Sequence, residues 1–202
     1  METKTKAEFW FDPVCPWAWM TSRWIMEVEK VRDIEITWNI FSLGHLNKDR
    51  EMPEQYQARM GNSWFCGRVV KAVEEKFGKD QVLLIYTAIG SRIHPGAETV
   101  SEEVFRSALS EIGLDPELAL EMNNAAWDEK IVESHERGIK MVGDDVGTPI
   151  IAIGGIGFFG PVISPAPKGE EAGKLWDGVV LAASYPGFFE LKRSRNVGPI
   201  LN

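Results

Sequence analysis

The sequence contains only two cysteines, Cys15 and Cys66, in 202 residues. Two thiols cannot form the dense disulfide framework that stabilises small secreted domains, and a chain of this length buries enough apolar surface to fold without one. The cysteines must therefore be explained by reactivity or by packing.

Histidine is equally scarce, with three residues at positions 45, 94 and 135. No histidine or cysteine lies at the spacing typical of metal ligands, so we expect no metal. The dinucleotide-binding pattern Gly-x-Gly-x-x-Gly occurs at residues 155–160, but Pro161 and Pro165 follow where a helix would have to begin. We therefore expect no nucleotide cofactor.

Long apolar runs and an excess of positive charge are also absent. No run approaches the roughly 18 residues that a membrane helix requires. The first ten residues contain no apolar stretch followed by a small-residue cleavage site, as a secretory signal would. The chain has 22 Lys and Arg against 30 Asp and Glu, a net charge of −8, which disfavours nucleic acid and anionic membranes as partners. The sequence therefore predicts a cytoplasmic protein.

The N-terminal part predicts a strand–helix–strand unit. Residues 7–11 form a short, aromatic-rich apolar run, and apolar residues then recur at helical spacing from Met20 to Val31. Pro16 suits the first position of that helix because its missing N–H would have no intrahelical partner. A second strand is expected at 34–41, parallel to the first.

Residues 42–144 predict helices and no convincing strand. A helix is expected at 54–77, with a break allowed at Gly61-Asn62, followed by a short apolar segment at 82–90. Another helix is expected to begin at Asp115 and to continue past Trp127 to Met141.

Strands are expected again near the C-terminal end. Two short apolar runs around a glycine pair predict a hairpin over 150–159. A final helix is expected at 169–183, with another turn at 188–192. The basic cluster of Lys192, Arg193 and Arg195 would then lie at a helix end, where cations complement the dipole, and is interpreted as structural.

The most informative chemistry lies at the first strand–helix junction, around Cys15. Unpaired N–H groups and the positive end of the helix dipole meet there, and both should lower the pKa of the thiol and make it a nucleophile. The alternative is a buried structural cysteine. Cys66 lies within a helical pattern, which favours packing, although it could approach Cys15 if that helix covers the site.

A second informative motif is Thr148-Pro149, directly before a predicted strand. Proline there often marks a turn. A cis bond would bring the backbone close to whatever binds opposite, but the sequence does not assign the isomer.

Together these motifs resemble the thioredoxin superfamily and, more closely, the actinobacterial mycothiol-dependent nitroreductase and FrnE-type proteins of its DsbA-like branch. The matching runs are Phe9-Trp10-Phe11-Asp12-Pro13, Cys15-Pro16-Trp17, Thr21-Ser22-Arg23-Trp24, Gly147-Thr148-Pro149, Phe158-Phe159-Gly160-Pro161 and Gly169-Glu170-Glu171-Ala172-Gly173-Lys174-Leu175-Trp176-Asp177. The resemblance implies an α/β, thioredoxin-like fold (βαβ…ββα) over 1–41 and 145–202, with a large inserted helical subdomain at 42–144.

The sequence departs from the family pattern Cys-Pro-Trp-Cys, because position 18 is Ala18. A dithiol enzyme resolves its mixed disulfide with the second cysteine. Here an external thiol must do so, whether Ala18 is natural or an engineered trap. A third alternative is that Cys66 resolves the mixed disulfide in place of the missing second cysteine.

The resemblance also implies which residues form the site. Cys15, Pro16, Trp17 and Ala18 would form the catalytic motif. The thiol or substrate would be bound by Trp19, Asn47, Tyr56, His94, Thr148 and Pro149. Without the resemblance, His94 would be interpreted as an ordinary loop histidine, and Tyr56 as an ordinary aromatic residue on a helix face.

The function that the resemblance implies is a thiol–disulfide oxidoreductase. Its co-substrate would be a small thiol, mycothiol, and its substrates mixed disulfides or electrophilic nitroaromatics; whether it forms a homodimer stays open. One alternative is an enzyme like the kappa-class glutathione transferases and 2-hydroxychromene-2-carboxylate isomerases. Another is a non-catalytic thiol-binding module, which a Cys15 pKa near the free value of about 8.5 would favour.

Overall fold

A computed structural model describes residues 4–201. The strands and helices follow one another in this order: β1 (Thr5–Phe11), α1 (Pro16–Val28), β2 (Ile34–Ile40), α2 (Leu43–Leu46), α3 (Glu54–Phe77), α4 (Asp80–Ile93), α5 (Glu102–Glu111), α6 (Asp128–Val142), β3 (Ile150–Ile153), β4 (Ile156–Phe159) and α7 (Gly169–Ala183). Two 3₁₀ segments, Pro116–Asn123 and Ala125–Trp127, precede α6. Within residues 4–201, no helix combines the length and apolarity needed to cross a membrane.

The strands form one sheet in the order β2-β1-β3-β4. β1 and β2 are parallel, with Phe9 opposite Trp38, as the predicted strand–helix–strand unit requires. β3 runs antiparallel to β1, with Ile151 opposite Phe9, and β4 forms the predicted hairpin with β3. β1 is therefore one of the two inner strands, and the residues that follow its C-terminal end lie near the middle of one edge of the sheet.

Helix α1 is fixed by the apolar face that its sequence pattern predicts. Met20, Trp24 and Val28 lie on this face and are fully buried. The indole N–H of Trp24 donates to the carbonyl of Ala172 at 3.0 Å, and its ring lies 6.1 Å from that of Trp176 in α7. Buried aromatic contacts of this kind hold α1 in one position, so its first residue, next to Cys15, is also held in place.

The helices between β2 and β3 share the apolar core with the sheet. Tyr86 of α4 stacks on Phe11 at 3.8 Å between ring centroids and also contacts Trp38 at 6.3 Å. Buried residues of α3 and α5, such as Val69 and Phe105, belong to the same cluster as the strand residues. The division at 42 and 144 stays a prediction, because this packing forms one continuous core.

Helix α3 has the predicted bounds and continues without the allowed break at Gly61-Asn62, and the apolar segment 82–90 lies within helix α4. One detail of the helical prediction is wrong, because the part of the expected helix between Pro116 and Trp127 consists of 3₁₀ segments. The Asn124 side chain accepts the Ala126 N–H at 3.1 Å there, which competes with α-helical hydrogen bonding, and α6 begins only at residue 128.

The C-terminal segment also differs from the prediction. Helix α7 ends at Ala183, just before Pro186-Gly187, and residues 188–192 form no helix. The basic cluster therefore lies in an extended tail rather than at a helix end, and its interpretation as a partner of the helix dipole is wrong.

Candidate functional site

Cys15 is the N-cap residue of α1, at the junction where the sequence predicts a reactive thiol. Its backbone is extended (φ −85°, ψ 111°), and Pro16 occupies the first helical position. A tight turn over Asp12 and Val14 leads to it, because the Cys15 N–H donates to the Asp12 carbonyl at 2.9 Å. The Ala18 N–H points at Cys15 Sγ from 3.5 Å. The sulfur therefore faces the open N-terminal end of the helix.

The Thr148–Pro149 peptide, which is cis, lies opposite this sulfur. Cys15 Sγ donates a hydrogen bond to the Thr148 carbonyl at 3.4 Å. The Thr148 hydroxyl in turn donates to the Trp10 carbonyl of β1 at 2.8 Å, which holds the loop against the central strand. Two motifs separated by more than a hundred residues thus form one site.

The protonation state of Cys15 contradicts the sequence expectation. Only 6% of the residue is exposed, and this burial raises the pKa of the Cys15 thiol to about 11, which the Ala18 N–H and the Arg59 charge only partly counteract. The nearby charge of Asp12 raises the pKa further. The Thr148 carbonyl, an acceptor, stabilises the thiol rather than the predicted thiolate.

Asp12 is a site residue that the sequence analysis named only as part of the matching run Phe9-Trp10-Phe11-Asp12-Pro13. It is fully buried, and burial raises the pKa of its carboxyl group despite three hydrogen bonds. Those bonds come from the Ser63 hydroxyl, from the Leu43 N–H at 2.7 Å and from the Val14 N–H at 2.9 Å. Asp12 therefore ties the Cys15 turn to α2 and α3. No local pattern distinguishes it from an ordinary Asp-Pro turn.

His94 and Trp19 pack against the other side of the same turn. His94 Nε2 lies 2.8 Å from the Pro13 carbonyl, so this nitrogen carries the hydrogen, and the ring lies 5.5 Å from that of Trp19. Burial lowers the pKa of His94 to about 4. His94 is therefore neutral near pH 7 and positions the turn. Trp17 is half-buried at the rim of the site.

The close contact between Gly90 and Trp19 leads to a prediction about the stability of the protein. A Cβ atom at Gly90 would lie 2.2 Å from Trp19 Cζ3, so Gly90→Ala must displace the ring beside the Cys15 turn. We expect a loss of about 2–3 kcal/mol in the free energy of unfolding. The matched control is Gly61→Ala in α3, where a Cβ meets nothing within 4 Å; it should stabilise the protein by about 0.5–1 kcal/mol. Urea unfolding measures both, and equal effects would contradict the predicted clash.

Asn47 and Tyr56 lie in a separate hollow of about 310 Å³. Arg50, Glu51, Met52, Pro53 and Met60 complete its lining. Tyr56 is half exposed, and the Asn47 side-chain amide donates to the Leu43 carbonyl at 2.8 Å. No hydrogen bond among residues 4–201 joins either residue to Cys15, so their role in binding stays a prediction.

Arg59, which the sequence analysis missed, contacts the Cys15 turn from α3, close in sequence to residues that line this hollow. It follows Tyr56 by three positions on α3 and precedes Met60, and both of these residues line the hollow. The Arg59 guanidinium donates to the Val14 carbonyl at 2.8 Å. An arginine inside a helical segment gives no local signal of such a contact.

Cys66 is free and fully buried in α3, and burial raises the pKa of its thiol well above the ordinary value. The packing role favoured by the sequence agrees with this position. Its alternative role as a resolving thiol stays a prediction.

The spacing of residues along the sequence does not show which potential metal ligands lie together in the structure, so the sequence argument against a metal is wrong. The absence of a metal itself stays a prediction. His45, His135 and Glu136 offer ligand atoms within 4.8 Å of one another. The Ser42 N–H donates to His135 Nδ1 at 3.4 Å, which favours the tautomer with hydrogen on Nε2. That nitrogen then has no free lone pair for a metal.

Comparison with known proteins gives one family and one distant relative. The model of the Rv2466c-like family, described as mycothiol-dependent nitroreductase, matches residues 14–193. An uncharacterised protein of Mycobacterium tuberculosis is 28% identical over 194 residues, which covers 95% of this chain and 83% of that protein.

Solved structures share the fold at low sequence identity. A probable DsbA oxidoreductase from Streptomyces coelicolor superposes with a TM-score of 0.63 at 14% identity and covers 97% of both chains. The cytosolic disulfide reductase DsbM from Pseudomonas aeruginosa, solved with GSH, gives a TM-score of 0.58 at 13% identity over 87% of this chain and 99% of its own. The predicted DsbA-like thioredoxin fold is thereby confirmed.

Proposed function

The chain belongs to the Rv2466c-like family of mycothiol-dependent nitroreductases, and from this premise we propose that it is a thiol–disulfide oxidoreductase with Cys15 as nucleophile and mycothiol as co-substrate. The observation that carries the proposal is the position of Cys15 Sγ, between the N-terminal end of α1 and the cis-Pro149 segment. A small reducing thiol as co-substrate favours action in the cytoplasm.

Ala18 makes the proposed cycle a monothiol cycle. Cys15 Sγ attacks the mycothiol sulfur of a mixed disulfide, a new S–S bond forms, the old one breaks, and the departing thiolate takes the Cys15 proton. A second mycothiol then attacks the Cys15 adduct, which releases oxidised mycothiol and restores the Cys15 thiol. The Ala18 N–H and the Arg59 guanidinium stabilise the transient thiolate.

Nitroaromatic compounds are the second substrate class. Two mycothiol molecules supply two electrons and two protons, which convert a nitro group to a nitroso group and water and leave oxidised mycothiol. The half-buried ring of Trp17, two residues from Cys15, offers a flat apolar surface for such compounds. Asn47 and Tyr56 in the hollow beside Arg59 are the proposed contacts for the thiol, together with Trp19, Thr148 and Pro149 near Cys15.

Intact mass spectrometry tests the cycle. The protein is incubated with oxidised mycothiol, or with oxidised glutathione, and then treated with an excess of the corresponding reduced thiol. We expect one mycothiol adduct, removed by the reduced thiol, in wild type and none in Cys15→Ser. An adduct that Cys15→Ser retains would assign the chemistry to Cys66, and no adduct with either disulfide would overturn the proposal.

A non-catalytic thiol-binding module is the second candidate, because burial raises the pKa of the Cys15 thiol to about 11. A protein that only binds thiols needs no thiolate near pH 7. Binding of reduced mycothiol by calorimetry, without any covalent adduct from oxidised mycothiol, would favour this module over the oxidoreductase.

A further inference from the structure

Three arginines contact residues close to Cys15 in the sequence. The Arg195 guanidinium lies 4.9 Å from the centre of the Trp17 ring, and Arg23 lies 3.9 Å from that of Trp19. Arg59 donates to the Val14 carbonyl, as described above. Each guanidinium thus contacts a residue within four positions of Cys15.

These arginines differ from most others in the protein. Five arginines elsewhere form ion pairs with carboxylates: Arg32, Arg68, Arg92, Arg106 and Arg137. Across residues 4–201, no carboxylate oxygen lies within 4.0 Å of Arg23, Arg59 or Arg195. In a chain with a net charge of −8, three guanidinium groups without a carboxylate partner in residues 4–201 therefore each contact a residue of the segment 14–19 around Cys15.

The tail is anchored by contacts on both sides of Arg195. Before it, the ring of Phe188 lies 5.7 Å from that of Phe158 in β4. After it, the Ser164 hydroxyl donates to the Gly198 carbonyl at 3.0 Å and accepts the Ile200 N–H at 2.8 Å. The tail therefore brings the positive charge of Arg195 next to Trp17, two residues from Cys15.

We propose that this site selects substrates that carry an anionic group, such as a carboxylate, next to the disulfide or electrophilic atom that Cys15 attacks. Arg195 beside Trp17 and Arg59 beside Val14 supply the positive charges that bind this group. A guanidinium that stacks on an indole keeps its N–H edge free, and this edge matches the two oxygens of a carboxylate. The inference rests on the proposed function, because it specifies the substrate of the same nucleophile.

Two aromatic disulfides of different charge test the selection in a single turnover. Dithiobis(nitrobenzoate) carries two carboxylates, whereas dithiodipyridine is neutral near pH 7. With either probe the Cys15 thiol loses its proton, a Cys15–aryl disulfide forms, the aryl S–S bond breaks and one aryl thiolate leaves, which is measured by absorbance. The rate of Cys15→Ser, due to Cys66, is subtracted.

The quantity compared is the rate constant for the anionic probe, dithiobis(nitrobenzoate), divided by that for the neutral probe, dithiodipyridine. We expect Arg195→Gln and Arg59→Gln each to lower this ratio about tenfold, because each removes one unit charge near the bound carboxylate. Arg193→Gln removes the same charge two positions away in the tail and should keep the wild-type ratio. Added salt should lower the ratio in wild type, since it screens exposed charges.

The inference is overturned if Arg195→Gln keeps the wild-type ratio. It is also overturned if the rate constants of Arg195→Gln for both probes rise together, because the Arg195 side chain would then only obstruct access to Cys15. An equal fall in Arg193→Gln would also overturn it, since the effect would come from net charge alone. No mycothiol takes part in this reaction. A failure here is therefore distinguishable from the absence of a mycothiol adduct, which would instead overturn the proposed function.

Discussion

Alkylation of Cys15 by iodoacetamide should accelerate about tenfold with each pH unit between pH 7 and pH 10, or roughly a thousandfold in total. Only the thiolate reacts, and burial raises the pKa of Cys15 to about 11. Below its pKa, the thiolate fraction of any thiol rises tenfold per pH unit. A free cysteine, with a pKa of about 8.5, gains only about thirtyfold over this range and reaches a plateau before pH 10.

The rate is measured by intact mass after timed quenching, with Cys15→Ser to report alkylation of Cys66. A rate that is already constant near pH 7 would mean that the helix N-terminus stabilises the thiolate more strongly than burial opposes it. A plateau just above pH 9 would mean that the sulfur is exposed to water in solution. Either result would contradict the buried, protonated thiol.

The sequence predicts those features that depend on neighbours along the chain. Cys15 is placed at the start of α1 because an aromatic strand ends at Phe11 and Pro16 suits the first helical position. The parallel strand pair, the hairpin and α7 follow from hydrophobic periodicity in the same way. These elements are sufficient to position the nucleophile opposite the Thr148 loop once the strands pair.

The sequence does not predict those features that depend on packing between distant segments. The sign of the Cys15 pKa shift is an example, because the local helix end lowers the pKa while burial by other elements raises it more. Arg59 and Arg195 reach the site from α3 and from the tail, 44 and 180 positions from Cys15. The contact between His45 and His135 likewise joins two helices that are far apart along the chain.

Ala18→Cys should convert the monothiol cycle to a dithiol cycle. Ala18 is fully buried one turn into α1, with its backbone nitrogen 3.5 Å from Cys15 Sγ. A thiol there can attack the Cys15–mycothiol disulfide within the same molecule. Well-oriented intramolecular reactions have effective molarities that far exceed any added thiol. We expect the adduct to persist in wild type without added thiol and to decay at least about a hundredfold faster in Ala18→Cys.

Time-resolved intact mass measures this decay. In Ala18→Cys the mycothiol adduct should give way to a species that lacks two hydrogens, which is the internal disulfide. Ala18→Ser is the matched control, because it adds a side-chain atom of similar position but no thiol, and its adduct should persist as in wild type. An adduct in Ala18→Cys that lives as long as that of wild type would show that a thiol at position 18 cannot reach the sulfur. We expect the adduct to decay in the double variant Ala18→Cys, Cys66→Ala as rapidly as in Ala18→Cys, because the resolving thiol is the one at position 18 and not Cys66.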